Sequence, residues 1–137
     1  MNKRSIPTWL MALSVVILLG QLTVFGVFTI VHPELPFPGL SDDAAHPIRF
    51  MAARHLAMAA VLMHALLARD IDLLRAMFTM FFTLAVVDLG LTVAYDTWVP
   101  LAVRVVGDLG RLGNAAVVLV GFVLPMGGTM VWLRRNT

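Results

Sequence analysis

Four long apolar stretches, separated by short polar breaks, make up most of this 137-residue chain. A helix needs about 20 predominantly apolar residues to cross a hydrocarbon core of about 30 Å, and each stretch is long enough. The predicted spans are Thr8–Val31, Pro47–Ala68, Leu73–Tyr95 and a last one that starts near Pro100 and reaches Leu133, with Ala115–Trp132 crossing the hydrocarbon. The sequence therefore predicts an all-α membrane protein, in which residues 1–137 form one domain and four transmembrane helices form an antiparallel bundle.

The composition agrees with lipid as the main surroundings. Hydrophobic residues make up 60% of the chain and charged residues 13%, whereas soluble domains carry about 25% charged residues. Cysteine is absent, which excludes disulfides, thiol catalysis and cysteine-ligated metals. The basic residues are scattered at the ends of apolar runs, a pattern that indicates membrane topology and not a nucleic-acid patch.

Prolines and glycines mark the predicted ends of the spans. Three prolines within residues 32–39 exclude a helix there. Pro47 is predicted in the first turn of the second span, and the polar pair at 69–70 predicts a tight hairpin. Pro125 and the glycines at 127–128 predict a kink in the last span.

The distribution of basic residues predicts the orientation. Arginine and lysine in short flanking segments favour the cytoplasmic side. On one side of the predicted bundle lie Lys3, Arg4, Arg69, Arg75, Arg134 and Arg135, and on the other lie Glu34, Asp42, Asp43, Asp96 and one basic exception, Arg49. Both termini are therefore predicted in the cytoplasm.

Two charges fall inside predicted spans, where charges are rare and expensive. Arg54 lies seven positions after Pro47, and Asp88 lies seven before Tyr95. At 1.5 Å per residue, both lie about 10 Å below the outer ends of their helices. Because the two helices are predicted as antiparallel neighbours, an Arg54–Asp88 pair is the expectation.

The start of the last span brings more charges towards this layer. Arg104, Asp108 and Arg111 follow an i, i+4, i+7 spacing and so are predicted on one helix face. The layer has two main interpretations. It is an ion pair that fixes the helices in register, or a pocket open to the outer side in which Arg54 binds an anion or a carboxylate headgroup. Proton relay through Asp88 is a third.

The four histidines are His32, His46, His55 and His64. With nearby carboxylates they could hold a metal, although no His-x-x-x-His or Glu-x-x-His spacing occurs. His55 and His64 lie about 13 Å apart along one helix, too far to bind one haem iron together. Either one alone could be an axial ligand of a tetrapyrrole, or could hydrogen-bond to a neighbouring helix.

Small residues mark predicted helix contacts. The second span carries a stripe of Ala53, Ala57, Ala60, His64 and Ala68, and the last span begins with Gly107, Gly110 and Gly113. Such faces let helices approach closely in lipid. The partner is either another helix of this chain, a second copy or a different membrane protein.

The run from Arg54 to Ala60, the pair at 69–70 and Asp88 in the next span resemble a pattern in small bacterial DoxX-like four-helix membrane proteins. The resemblance covers residues 50–96 and implies fold and topology, with no assigned activity. A bacterial inner membrane is the corresponding expectation for location.

No enzyme signature is present: the chain lacks a phosphate-binding glycine loop, a nucleophile elbow and a His-Glu-x-x-His helix. The leading hypothesis is a non-catalytic accessory or scaffold subunit of a membrane assembly, with no cofactor. One alternative is a binder or carrier of a lipid-like or anionic molecule at Arg54 and Asp88. Another is a pigment- or metal-binding protein that uses His55 or His64.

Overall fold

A computed structural model describes residues 5–35, 37, 39–95, 103, 107 and 109–137. These residues form helices and connecting turns, without a strand. Four helical stretches among them are long and apolar enough to cross a membrane: Thr8–Val31, Asp42–Ala68, Ile71–Ala94 and Gly110–Asn136. The prediction of four apolar helices is confirmed, and such a set indicates an integral membrane protein.

The chain divides into two compact units, Met1–Asp70 (unit 1) and Ile71–Thr137 (unit 2). Each unit pairs one continuous α-helix with one stretch that contains a π-helical segment. Unit 1 contains α1 (Thr8–Leu22), π1 (Thr23–Phe28), α2 (Thr29–Val31) and α3 (Asp42–Ala68). Unit 2 contains α4 (Ile71–Ala94), α5 (Gly110–Val118), π2 (Leu119–Val123) and α6 (Leu124–Asn136).

Helix α3 begins earlier than the sequence predicts. The Oγ atom of Ser41 accepts a hydrogen bond from the Ala44 N–H at 3.4 Å and caps the helix. Asp42 and Asp43 in the first turn complement the positive end of the helix dipole. The prediction of Pro47 in the first turn is wrong, since Pro47 lies inside the helix, where it removes one N–H close to the N-terminus.

The polar break after α3 is a helix cap. Arg69 adopts a left-handed conformation with φ of 52°. The N–H of Asp70 donates to the Ala65 carbonyl at 2.9 Å, and that of Arg69 donates to the Leu66 carbonyl at 3.2 Å. A left-handed residue with such bonds is a common way to end a helix.

The start of the last span also differs from the prediction. Gly107 has φ of +102° and Gly110 has φ of +79°, values that a continuous α-helix does not contain. The predicted glycine face is therefore wrong, because the helix begins only at Gly110. The continuous helix that would place Arg104, Asp108 and Arg111 on one face is interrupted at Gly107. Residues 100, 104 and 108 lie outside the described part of the chain.

A π-helical segment lies directly before Pro125, where the sequence predicts a kink. π2 ends directly before α6, whose second residue is Pro125. A proline ring inside an α-helix clashes with the carbonyl four residues earlier, which here belongs to Gly121 in π2. The wider π turn is one of the recognised sources of helix distortion.

Within each unit, the two long helical stretches contact each other at two levels. In unit 1, Gln21 contacts His55 and Ile30 contacts Arg49. In unit 2, Arg75 contacts Thr137 near one end, and Phe82 packs close to Gly127 further along. One four-helix bundle, a single domain and cytoplasmic termini stay predictions.

Candidate functional site in the first helix pair

A hydrogen bond joins two polar side chains in the middle of unit 1. Nδ1 of His55 lies 2.5 Å from Oε1 of Gln21. Gln21 is the fourteenth residue of Thr8–Val31, and His55 is the fourteenth of Asp42–Ala68. Because an amide oxygen only accepts hydrogen bonds, Nδ1 carries the proton in this arrangement. In the neutral form of the ring, Nε2 then has a lone pair.

The π1 segment lies beside this hydrogen bond. Thr29 Oγ1 donates to the Val24 carbonyl, five positions earlier, at 2.7 Å. The ring of Phe25, inside π1, lies 5.3 Å from the ring of His55 between centroids. Single π-helical turns within α-helices occur frequently at functional sites, and here the turn directs Phe25 at the histidine next to Gln21.

Gly26 permits the close approach of π1 and α3. A Cβ atom at this position would overlap Cδ2 of Leu56 and would lie 2.6 Å from the backbone oxygen of Gln21, far below van der Waals contact. Only glycine therefore fits here without a shift of the backbone, and at Leu56 its lack of a side chain lets π1 lie close to α3.

Polar contacts between helices in lipid hold the helices in register. The Gln21–His55 hydrogen bond is such a contact between α1 and α3. The lone pair of His55 Nε2 also leaves the ring able to accept a hydrogen bond or to ligate a metal. A tetrapyrrole at His55 therefore stays a prediction.

Arg54 precedes His55 in the sequence, but it lies on the exposed face of α3. Its side chain is exposed, and its Cζ atom lies 4.8 Å from the centre of the Phe50 ring. This distance is within the range of a cation–π contact. Phe50 is itself 64% exposed. The two residues are one helical turn apart, so the guanidinium points back towards the start of α3.

The other charges of the predicted layer belong to unit 2. Asp88 is half-buried on α4, and its backbone carbonyl accepts a hydrogen bond from Thr92 Oγ1 at 2.6 Å. Arg111 is exposed on α5. Arg104 and Asp108 lie outside the described residues. The Arg54–Asp88 pair joins residues of different units and stays a prediction.

The remaining histidines are exposed. His32 Nδ1 lies 3.0 Å from Glu34 Oε1 in the turn after α2. A backbone hydrogen bond first, and then His32, lower the pKa of Glu34. His46 and His64 are exposed on α3. Within the described ranges, no group of three or more histidine, aspartate or glutamate side chains is placed to hold a metal ion.

The small-residue stripe lies on the exposed face of α3. All five members are exposed: Ala53, Ala57, Ala60, His64 and Ala68. The residues of α3 that are buried lie on other faces of the helix: Ala45, Ala52, Ala59, Leu62, Ala65 and Leu66. The stripe is therefore available for contacts beyond α1.

The sequence analysis did not predict Gln21, Phe25, Gly26 or Phe50 as part of this site, and two of them carried a signal in the sequence. Gln21 is an amide within an apolar run of 24 residues, and polarity in the middle of a span was the signal that could have identified it. Phe50 lies at i−4 from Arg54, a spacing that places two side chains side by side on a helix.

Comparison with protein-family models, with curated proteins and with solved structures gives no match. The resemblance to DoxX-like proteins accordingly stays a prediction.

Proposed function

We propose that this protein is a non-catalytic integral membrane protein that acts by association, as an accessory or scaffold subunit of a membrane assembly. The observation that supports the proposal is the open stripe of small residues on α3. In addition, between 17% and 28% of the residues in the most apolar window of each span are buried within the chain. Most residues of each span therefore have surface that lipid or other chains must cover.

A stripe of alanines suits a partner helix better than it suits lipid. Small side chains let two backbones approach closely and gain dispersion contacts, which is a main driving force where lipid is as apolar as the protein. Ala53 and Ala57 are four positions apart and follow the small-xxx-small pattern, and Ala60 continues the same face. We infer a transmembrane helix with a complementary small face as the partner.

The orientation belongs to the same proposal. The basic residues at the ends of the spans favour a cytoplasmic side that holds both termini and the turn at Arg69. In that orientation Ser41 and the start of α3 lie on the outer side of the inner membrane of a bacterium, and the Ala68 end of the stripe lies near the cytoplasm.

Extraction in a mild detergent, followed by crosslinking and size analysis, tests the proposal. The wild-type chain should elute in a larger assembly. Ala57→Phe and Ala60→Phe should release it, because a bulky ring holds the partner helix away, while the chain itself stays folded. Val16→Phe is the matched control, since Val16 is 67% exposed on α1 and away from the stripe. Elution of the wild type as a lone monomer, without crosslinked partners, would refute the proposal.

A further inference from the structure

The length of α3 places its first residues outside the hydrocarbon. The helix has 27 residues, which corresponds to about 40 Å at 1.5 Å per residue, while the hydrocarbon core is about 30 Å thick. The segment Asp42–Arg49 contains two acids, a histidine and an arginine. The remaining segment, Phe50–Ala68, is about 28 Å long and fits the core by itself. The boundary of the hydrocarbon therefore falls near Phe50.

The neighbouring helix supports the same boundary. Arg49 Nε donates a hydrogen bond to the Ile30 carbonyl at 3.1 Å, one residue before the first span ends at Val31. The exposed His32–Glu34 pair follows directly. Both helices of unit 1 thus change from apolar to polar at one level, marked by Ile30 and Arg49.

The guanidinium of Arg54 reaches this boundary. Its Cα atom lies about 6 Å further into the span than that of Phe50, at 1.5 Å per residue. The guanidinium nevertheless lies over the Phe50 ring, at 4.8 Å from its centre. Long basic side chains extend in this way from apolar surroundings towards the headgroups. No described carboxylate of unit 1 forms an ion pair with Arg54.

We propose that His46, Phe50 and Arg54 form a binding site for the headgroup of an anionic phospholipid. The three residues follow an i, i+4, i+8 spacing and are all exposed, so they share one outward face of α3. The guanidinium binds the phosphate, since planar N–H donors match phosphate oxygens. The Phe50 ring contacts the glycerol and the upper acyl chain.

The depth of the site in the membrane favours a lipid as its ligand. The guanidinium lies where the headgroups of the surrounding bilayer begin, so a phosphate with attached acyl chains meets both the cation and the apolar surface below it. Inorganic phosphate would meet the cation alone. The proposed lipid site lies at the polar end of α3 and forms whether or not Ala57 and Ala60 contact a partner helix.

Native mass spectrometry of the full chain, released from nanodiscs of equal parts phosphatidylglycerol and phosphatidylcholine, tests the site. The wild type should retain phosphatidylglycerol in preference to phosphatidylcholine. Arg54→Gln should reduce this preference about fivefold, the equivalent of the ~1 kcal/mol that one direct hydrogen bond typically contributes. Phe50→Leu should also reduce it, because the ring that positions the guanidinium is removed.

Arg69→Asn is the matched control, because it removes the same charge at the opposite end of α3 and keeps a residue that tolerates the left-handed conformation. It should leave the preference unchanged. The proposal is overturned if Arg54→Gln retains phosphatidylglycerol as the wild type does, or if Arg69→Asn loses it equally. It is also overturned if inorganic phosphate displaces the lipid, or if Arg54→Gln releases a bound acidic protein instead.

Discussion

His55 on α3 and Gln21 on α1 share a hydrogen bond of 2.5 Å between Nδ1 and Oε1, near the midpoints of two apolar helices. Lipid offers no competing hydrogen-bond partner at that depth, so two polar side chains from different helices satisfy each other. The bond links α1 and α3 at one register, and Gly26 lets the neighbouring π1 segment lie close to α3.

Removing either partner of this bond should destabilise the protein. We expect His55→Ala and Gln21→Ala to show a coupling free energy of about 0.5–1.5 kcal/mol in a double-mutant cycle, the range of hydrogen bonds between membrane helices. Unfolding by sodium dodecyl sulfate in mixed micelles measures it. His64→Ala, at an exposed position of the same helix, should change the unfolding free energy by less than about 0.5 kcal/mol. A coupling energy of zero would rule out the bond.

Gly26→Ala should destabilise unit 1. The new Cβ atom would overlap Leu56 and the backbone oxygen of Gln21, and overpacking of this kind costs about 1–3 kcal/mol. Leu56→Ala should recover only part of the loss, because the backbone oxygen cannot move aside. Gly128→Ala is the control: nothing lies within 4 Å of its Cβ position, so the unfolding free energy should stay equal or rise. Equal effects of both glycine substitutions would argue against a close π1–α3 contact.

Glu34 should titrate below its ordinary pKa of 4.5. Its lowered pKa means that the turn after α2 is stabilised by the ionised carboxylate at higher pH, and that this stabilisation is lost as the pH falls through the lowered value. NMR titration of the Glu34 carboxyl carbon checks the direction. His32→Ala should raise this pKa only in part, since the backbone hydrogen bond is the larger cause. A pKa of Glu34 at or above the ordinary value would contradict the structure of this turn.

Arg54 and Asp88 can be tested as a pair. If the guanidinium is held over Phe50 at the membrane boundary, Arg54→Leu and Asp88→Leu should act independently, with effects on the unfolding free energy that add within about 0.5 kcal/mol. If Arg54 and Asp88 form the ion pair expected from the sequence, the effects of the two substitutions should instead be strongly coupled. The reason is that removing one partner of a buried ion pair leaves an uncompensated charge. A coupling energy above about 1 kcal/mol would favour the pair and would contradict the position of Arg54 proposed here.

The extent of the helices could be read from the sequence because lipid imposes it. Thr8–Val31 was predicted with the bounds that the structure shows, since an apolar run of that length has one stable solution in a bilayer. The start of α3 was less predictable. Ser41, Asp42 and Asp43 form a capping signal, yet the proline at position 47 suggested a later start, because proline is common in the first turn of a helix.

The site could be predicted only in part. His55 and Arg54 stood out as polar residues within an apolar run, but their partners depend on how the helices pack. Sequence periodicity does not reveal a π-helical turn, so the approach of Gln21 and Phe25 to His55 was not visible. The glycine at position 107 was assigned to a helix by its spacing, whereas its positive φ is a property of the backbone that spacing does not encode.

The placement of α3 in the membrane is the claim on which both proposals depend. Because the chain has no cysteine, single cysteines can be introduced one at a time without any background. We would label His46→Cys, Ala57→Cys and Ala60→Cys in intact membranes with a charged, membrane-impermeant maleimide. We predict rapid labelling at position 46 and none at 57 and 60, because the hydrocarbon begins near Phe50. Labelling at 57 and 60 as fast as at 46 would show that α3 does not cross the membrane as proposed.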